Sequence, residues 1–216
     1  MADLIREDVR LVTDAEVVRE VRPERLGVLG GTFDPIHIGH LVAAVGVRHA
    51  LGLDRVLMVV ANEPWQKADR CLAPAADRLA VVSAAVAGCP GLEASALEIE
   101  RGGESVTADT LEQLLIEDPH RELFLIVGAD VACALGTWRR GEDSARLASL
   151  VVVNRPGTAG VDVAPPWRRV DVEIPALDLS SSELRARVAG GLPLDYLLPP
   201  AAIAEIAARG LYAGGR

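Results

Sequence analysis

The chain has 216 residues and a formal charge of −9, and 50% of its residues are hydrophobic whereas 3% are aromatic. This length fits one large domain, or a domain with a small appendage, whose core is filled by aliphatic side chains and alanine. The acidic balance argues against nucleic acid as the main partner, because neutralising its phosphates needs a basic surface. No apolar run approaches the roughly 20 residues of a membrane span, so we expect no membrane partner.

The cysteines and the first residues bear on the compartment. Cys71, Cys89 and Cys133 are widely spaced and form no C-x-x-C pair, which favours neither a zinc site nor a disulfide framework. Residues 1–8 are acidic and mixed, unlike a signal or transit peptide. These observations predict a cytoplasmic protein with reduced cysteines.

Strand-like and helix-like segments alternate over residues 25–176, after a charged stretch, residues 1–24, that we expect to be a peripheral extension. Several strand-like runs are nearly continuous Val, Ile and Leu, as in parallel sheets covered on both faces. We therefore predict a doubly wound, mainly parallel Rossmann-like α/β core. The predicted strands are 25–29, 55–61, 92–100, 123–127, 149–154 and 169–174, and the predicted helices are 39–51, 74–87, 107–117, 131–138 and 143–148.

The last part of the chain, residues 177–216, has a different pattern. Ser180 followed by Glu183 is typical of a capping box, which predicts a helix over 180–189. Two prolines begin a final predicted helix over 199–209, and a glycine ends it. We expect this part to be a small helical appendage that belongs to the same domain.

The most informative stretch is GGTFDPIHIGH, Gly30 to His40, which follows the first predicted strand and starts the first helix. Open parallel sheets bind ligands at the carboxyl ends of their strands, and a helix start favours anions. The stretch fits neither the P-loop motif nor G-x-G-x-x-G. Glycines allow close backbone approach, and histidines offer N–H donors. We therefore predict a polyphosphate site built from Gly30, Gly31, Thr32, Phe33, His37, Gly39 and His40.

Two motifs carry a family resemblance. The T-F-D-P and H-I-G-H residues of this stretch closely resemble the signature of the nucleotidyltransferase superfamily, and LSSSELR at 179–185 resembles the I-S-S-T-x-I-R of bacterial nicotinate-nucleotide adenylyltransferases. An ordinary serine N-cap accounts for Ser180 and Glu183 but leaves Arg185 unexplained. Hydroxyls at a helix start, with an arginine one turn in, form a second phosphate cradle. The resemblance implies phosphate contacts from Ser180, Ser181, Ser182 and Arg185.

Three further stretches resemble the same family. ANEPWQK at 61–67 resembles P-A-N-x-P-P-H-K but departs at several positions, so that only Lys67 is carried over. SVTADTL at 105–111 resembles an S-Y-T-x-D-T-L stretch near the pyridine ring, which implicates Thr107. Gly128-Ala129-Asp130 with Trp138 resembles a motif that implies Asp130 by the adenosine ribose and Trp138 stacked on the nicotinate ring. A core role remains the alternative for Trp138.

Two arginines match family patterns that indicate a role less specifically. Arg78 matches an A-x-x-R-L pattern, which implies mononucleotide binding, although a solvated helix position is the alternative. Arg155 matches an R-P-G pattern to which we assign no role, and Trp65 likewise receives none.

The resemblance implies adenylyl transfer from ATP to nicotinate mononucleotide, which forms deamido-NAD and pyrophosphate in NAD biosynthesis. His37, His40 and Arg185 would then be the catalytic residues, and Mg²⁺ would arrive as Mg-ATP without a metal site in the protein. The mononucleotide phosphate already carries a nucleophilic oxygen, so positioning and fixed charges are expected to supply the catalysis. The sequence leaves the oligomeric state open, a homo-oligomer included.

Alternative functions come from the same fold and from outside it. Another nucleotidyltransferase, of nicotinamide-mononucleotide, phosphopantetheine or cytidylyl type, would keep both phosphate motifs, but the stretches around Lys67, Thr107 and Trp138 argue against it. A non-catalytic nucleotide-binding sensor would bind ATP without releasing pyrophosphate. A class I aminoacyl-tRNA synthetase also carries H-I-G-H, but this chain is short and acidic and lacks a K-M-S-K-S-like loop.

Overall fold

Six parallel strands form one sheet in the computed structural model, which describes residues 22–65, 72–154 and 166–214. The strand order is β3-β2-β1-β4-β5-β6, and every neighbouring pair is parallel. The order reverses between β1 and β4, which confirms the predicted doubly wound sheet. The strands are β1 (Arg25–Gly31), β2 (Arg55–Val60), β3 (Leu92–Ser95), β4 (Glu122–Gly128), β5 (Ser149–Asn154) and β6 (Arg169–Glu173).

Helices connect the strands and cover both faces of the sheet. None of the helices within the described ranges is long and apolar enough to cross a membrane. The helices are α1 (Ile38–Leu51), α2 (Ala75–Val86), α3 (Leu97–Arg101), α4 (Thr107–Glu117), α5 (Ala129–Ala132), α6 (Gly141–Leu147), α7 (Ser181–Ala189) and α8 (Pro200–Ala208), and a short 3₁₀ helix spans Leu135–Thr137.

Alternating side chains of the strands pack into two separate hydrophobic cores. In β2, Val56, Met58 and Val60 belong to one core, which they share with α1, α2, α7 and α8. Leu57 and Val59 point to the other face and join the core that includes residues of α3, α4 and α5. The period of two in the strands therefore sorts the helices into two layers. The C-terminal helices belong to the first layer, where α8 lies against α2.

Two predicted elements are wrong in extent. The predicted strand 92–100 is split, because β3 ends at Ser95 and α3 begins at Leu97. The alternating pattern L-E-A-S-A-L-E-I fits a strand, but Glu98 is buried and accepts a hydrogen bond from Thr110, which requires a change of direction. The predicted helix 131–138 is also interrupted: α5 ends at Ala132 and the 3₁₀ turn follows.

Candidate active site

A cavity of about 980 Å³ opens where β1 and β4 end and the strand order reverses. Parallel sheets of this kind bind their ligands at that position. Arg78 does not line this cavity, and Lys67 and Arg155 lie outside the described residues. The lining contains the other predicted site residues, namely Gly30, Gly31, Thr32, Phe33, His37, Gly39, His40, Thr107, Asp130, Trp138, Ser180, Ser181, Ser182 and Arg185.

Close packing between Gly31 and Phe33 shapes the loop after β1. A Cβ atom at Gly31 would lie 2.8 to 3.1 Å from carbons of the Phe33 ring, so a larger residue would displace that ring. Phe33 is 3% exposed, and its ring meets the His40 ring edge-on, with 5.1 Å between the centroids. The buried phenyl ring therefore limits the orientations that His40 can adopt.

The two histidines of the H-I-G-H stretch form a stacked pair at the start of α1. Their ring centroids are 3.7 Å apart, and the backbone N–H of His37 donates to Nδ1 of His40 at 3.2 Å. This hydrogen bond makes Nε2 the protonated nitrogen of a neutral His40 ring. Gly39 permits the stack, because a Cβ atom there would lie 3.0 Å from His37 Nδ1.

Burial sets the charge state of His37. The residue is 8% exposed, and burial lowers the pKa of its imidazole to about 4. Its Nδ1 atom is buried without a hydrogen-bond partner in the part of the chain that the structure describes. His37 is therefore neutral at neutral pH, and a ring in this state can donate one N–H without carrying a full charge.

The second predicted phosphate motif touches the first. Nη1 of Arg185 donates to the backbone carbonyl of Asp34 at 2.7 Å. The hydroxyl of Ser181 donates to the carbonyl of Pro35 at 2.9 Å. Residues that are far apart in the chain thus meet at one end of the cavity. We call this end, formed by the loop 30–35, the start of α1 and the start of α7, the phosphate end.

The three serines at the start of α7 make different contacts. Ser180 is the N-cap, and its hydroxyl accepts the backbone N–H of Glu183 at 3.2 Å. Ser182 accepts from Nη2 of Arg185 at 3.0 Å. The cap therefore accounts for Ser180, as the structural alternative proposed, whereas Ser182 helps to orient the guanidinium group.

Arg78 lies beneath the site rather than in it. The side chain is 2% exposed, so it is not the solvated helix residue considered as the alternative. Its guanidinium donates to the carbonyls of Thr32, Asn62 and Ala73 at 2.7, 3.1 and 2.9 Å. These three bonds tie the loops after β1 and β2 to the start of α2. The role in mononucleotide binding stays a prediction, and the observed contacts support the loops that surround the cavity.

Another part of the lining, which we call the pyridine end, contains Trp65, Trp138 and Arg139. Trp138 is half-buried, and its indole N–H has no hydrogen-bond partner among the described residues. Thr107 is the first residue of α4. The guanidinium of Arg139 lies 5.0 Å from the centre of the Trp65 ring and forms an ion pair with Glu104. Two tryptophans and a cation therefore line the end at which a pyridine ring is expected.

Four buried polar residues of the lining were absent from the predicted site, namely Asp34, Glu98, Thr110 and Asn154. Thr110 donates to Glu98 at 2.6 Å, and it lies in the stretch that implicated Thr107, so the motif contained a signal for it. Asn154 ends β5, and its Oδ1 atom is buried without a described hydrogen-bond partner. No motif of the sequence contains Asn154, because its place in the lining results from the position of β5 in the sheet.

Comparisons with known proteins bear on the family of this chain. A family model described as Cytidylyltransferase-like matches residues 28–187. A protein of Corynebacterium kroppenstedtii named probable nicotinate-nucleotide adenylyltransferase is 44% identical over 87% of this chain and 90% of its own length. A protein of Roseiflexus with the same name is 47% identical over 87% of this chain and 97% of its own length.

Solved structures resemble the fold. The structure of Plasmodium falciparum nicotinic acid mononucleotide adenylyltransferase complexed with NaAD has a TM-score of 0.71 and 19% sequence identity. The match covers 88% of this chain and 97% of that chain, which supports the fold alone at this level of identity. The relatives from Corynebacterium kroppenstedtii and Roseiflexus, with sequence identity above 40% along most of both chains, show the family as well. The chain therefore belongs to the nicotinate-nucleotide adenylyltransferase family, within the cytidylyltransferase-like nucleotidyltransferases.

Proposed function

We propose that this chain joins ATP to nicotinate mononucleotide, with deamido-NAD and pyrophosphate as the products. The observation that carries the proposal is the contact between the two phosphate motifs, in which Arg185 and Ser181 bond to the carbonyls of Asp34 and Pro35. These contacts collect imidazole, hydroxyl and guanidinium groups at the phosphate end of one cavity. Family membership and the names of the relatives support the choice of substrates.

The proposed reaction is an in-line displacement at the α-phosphorus of ATP. An oxygen of the mononucleotide phosphate forms the new P–O bond, and the bond from the α-phosphorus to the bridging oxygen breaks, so that its electron pair leaves with pyrophosphate. The attacking oxygen is already ionised at neutral pH, and no general base is needed. The task of the protein is to align the two phosphates and stabilise the charge on the leaving group.

Three side chains of the phosphate end, and Asp130 of the same cavity lining, receive roles in this proposal. His37 and His40 would donate to the triphosphate, and their mutual stacking fixes where the donors point. Arg185 would bind the departing pyrophosphate, because its fork is already oriented by Asp34 and Ser182. Asp130, in α5 just after β4, would accept from the adenosine ribose.

In the proposed reaction, Mg²⁺ would reach the cavity bound to the phosphates of ATP. Among the described residues, no group of three or more His, Cys, Asp or Glu side chains is placed to hold a metal ion. Mg²⁺ commonly keeps several waters and binds the phosphates of its substrate. We therefore assign no protein ligand to the ion, which would neutralise part of the triphosphate charge. We place the reaction in the cytoplasm, where ATP is available.

An arginine at the pyridine end of the cavity favours an acidic acceptor. Arg185 and Arg139 are the arginines of its described lining, and Arg139 stands with Trp65 and Trp138 at the pyridine end. A guanidinium that already pairs with the carboxylate of Glu104 can exchange that partner for the carboxylate of nicotinate. Nicotinamide mononucleotide carries no charge at this position and would gain nothing from the exchange.

Pyrophosphate release from ATP tests the function, with nicotinate and nicotinamide mononucleotides assayed side by side. We expect turnover with the acid and a much lower kcat/KM with the amide. Arg139→Gln should lower kcat/KM for the acid about tenfold or more, the scale of one hydrogen bond to a charged group, and leave the amide unchanged. Arg146→Gln is the control, because Arg146 is exposed and pairs with Asp143 outside the cavity.

Three results would count against parts of this proposal. Activity with neither mononucleotide would remove the substrate assignment. ATP binding without pyrophosphate release on any mononucleotide would favour a nucleotide sensor. Equal losses for the acid and the amide in Arg139→Gln would show that Arg139 does not read the carboxylate.

A further inference from the structure

Asp34 is a buried carboxylate in the loop of the first phosphate motif, with 3% of its surface exposed. Its Oδ1 atom accepts the hydroxyl of Tyr212 at 2.8 Å and the backbone N–H of Ala73 at 3.3 Å. Its Oδ2 atom has no hydrogen-bond partner in the described ranges and lies 3.7 Å from Nη1 of Arg185. A buried carboxylate depends strongly on its few partners, so Tyr212 contributes directly to the orientation of Asp34.

Arg185 depends in turn on Asp34. The same Nη1 atom that faces Oδ2 donates to the backbone carbonyl of Asp34 at 2.7 Å. The other arm of the guanidinium donates to Ser182 at 3.0 Å. A rotation of the Asp34 carboxylate would therefore change the distance of 3.7 Å between Oδ2 and Nη1, and with it the electrostatic attraction on that arm of the guanidinium. Misplacement of a phosphate-binding group by a fraction of an ångström is enough to slow a reaction that relies on alignment.

The backbone around Tyr212 holds this residue in a defined conformation. It lies four residues after α8, which ends at Ala208, and the N–H of its neighbour Leu211 donates to the carbonyl of Ile206 at 3.0 Å. Its φ of 61° is left-handed, a conformation that a bulky residue adopts only when its surroundings enforce it. Burial, and next the hydrogen bond to Asp34, raise the pKa of the Tyr212 hydroxyl above its ordinary value. The hydroxyl is therefore a permanent proton donor to Asp34 at physiological pH.

We infer that Tyr212, beyond the last helix, is a positioning residue for the reaction: it orients Arg185 through Asp34 and so makes the C-terminal segment a third part of the phosphate end. This inference rests on the proposed function for the role of Arg185. Neither phosphate motif contains Tyr212, which lies 178 residues from Asp34 in the chain. The substitution Tyr212→Phe removes only this hydroxyl group, so it tests the hydrogen bond to Asp34 directly.

The test compares Tyr212→Phe with Tyr196→Phe, a matched control because Tyr196 is 95% exposed. We expect Tyr212→Phe to lower kcat on the order of tenfold, below the roughly hundredfold loss that a misplacement of about 1 Å can cause. In the reverse reaction, KM for pyrophosphate should rise while KM for deamido-NAD stays within twofold. Tyr196→Phe should match the wild type in every constant. Unchanged kinetics in folded Tyr212→Phe would overturn the inference.

A double-mutant cycle distinguishes positioning from a general structural role. If Tyr212 acts through Arg185, Tyr212→Phe should change kcat by less than twofold in an Arg185→Lys background. A full tenfold loss in that background would show that Tyr212 acts independently, and would overturn the inference. Calorimetric titration with pyrophosphate keeps the test separate from the proposed function. A wild type without turnover would remove that function, whereas weaker pyrophosphate binding by Tyr212→Phe would still support the inference, and equal binding would contradict it.

Discussion

At the scale of single residues, three contacts constrain the His40 ring. The Phe33 ring meets its edge, the His37 ring stacks on its face, and its Nδ1 atom accepts a backbone N–H. These contacts hold an N–H donor in a fixed direction before any ligand arrives. Donors that are oriented in advance stabilise developing charge without further reorganisation, which is the largest catalytic contribution in many enzymes.

His40→Ala should therefore lower turnover by about 10²–10⁴ and change the affinity for ATP only modestly, because the lost donor acts mainly on the charge that develops in the transition state. Steady-state kinetics and ATP binding measure the two effects separately. His49→Ala is a control in the same helix, since His49 is exposed and lies outside the cavity lining. Near-wild-type turnover in folded His40→Ala would remove the central catalytic assignment.

His37 couples the site to pH. Burial lowers the pKa of His37 to about 4, whereas an unfolded histidine titrates near about 6.5. Between these values the unfolded chain binds the extra proton, so the free energy of unfolding falls as the pH is lowered from about 6.5 to about 4. This difference in pKa lowers the free energy of unfolding by at most about 3–4 kcal/mol over this window.

Urea unfolding at pH values across this window, for the wild type and His37→Gln, isolates the contribution of His37. We expect the variant to lose less stability than the wild type when the pH is lowered, because it no longer takes up the proton on unfolding. His49→Gln should keep the wild-type dependence, since that histidine is exposed. Parallel pH profiles for the wild type and His37→Gln would show that His37 is not held neutral by the fold.

At the scale of elements, the sequence predicted the parallel sheet because its strands are almost continuous aliphatic runs. The same reasoning failed at 92–100, where alternation fits both an edge strand and a short strand followed by α3. A period-two pattern cannot show that Glu98 turns inward to accept a bond from Thr110. That contact joins α3 to α4, and it depends on tertiary packing.

The phosphate motifs were predictable as local patterns, whereas their mutual contacts were not. Gly31, Phe33 and His40 belong to one short loop and helix start, so a pattern can contain all of them. The bond from Tyr212 to Asp34 joins residues that are 178 positions apart and have no shared pattern. Arg78 shows the same limit, because its match predicted a ligand contact and the fold instead directs it to three backbone carbonyls.

At the scale of the whole molecule, the C-terminal helices share a core with the sheet. Leu184 of α7 and Ile206 of α8 are buried in the same cluster as Met58 and Ile126. The α/β part and residues 177–216 are therefore expected to unfold together, in one cooperative transition. The three tryptophans, Trp65, Trp138 and Trp167, all precede residue 177, so their fluorescence reports on the α/β part alone.

This distribution of tryptophans makes Ile206→Ala a test of the unity of the domain. Ile206 is 3% exposed, and its truncation should lower the free energy of unfolding by about 2–5 kcal/mol. If the parts unfold together, the tryptophan fluorescence transition shifts by the same amount as the circular dichroism transition, although no tryptophan lies near the end of the chain. Ile116→Ala is the control, because Ile116 is 81% exposed and its loss should cost little. A fluorescence midpoint that stays at the wild-type value while the helical signal melts earlier would mean that the C-terminal part is a separate unit.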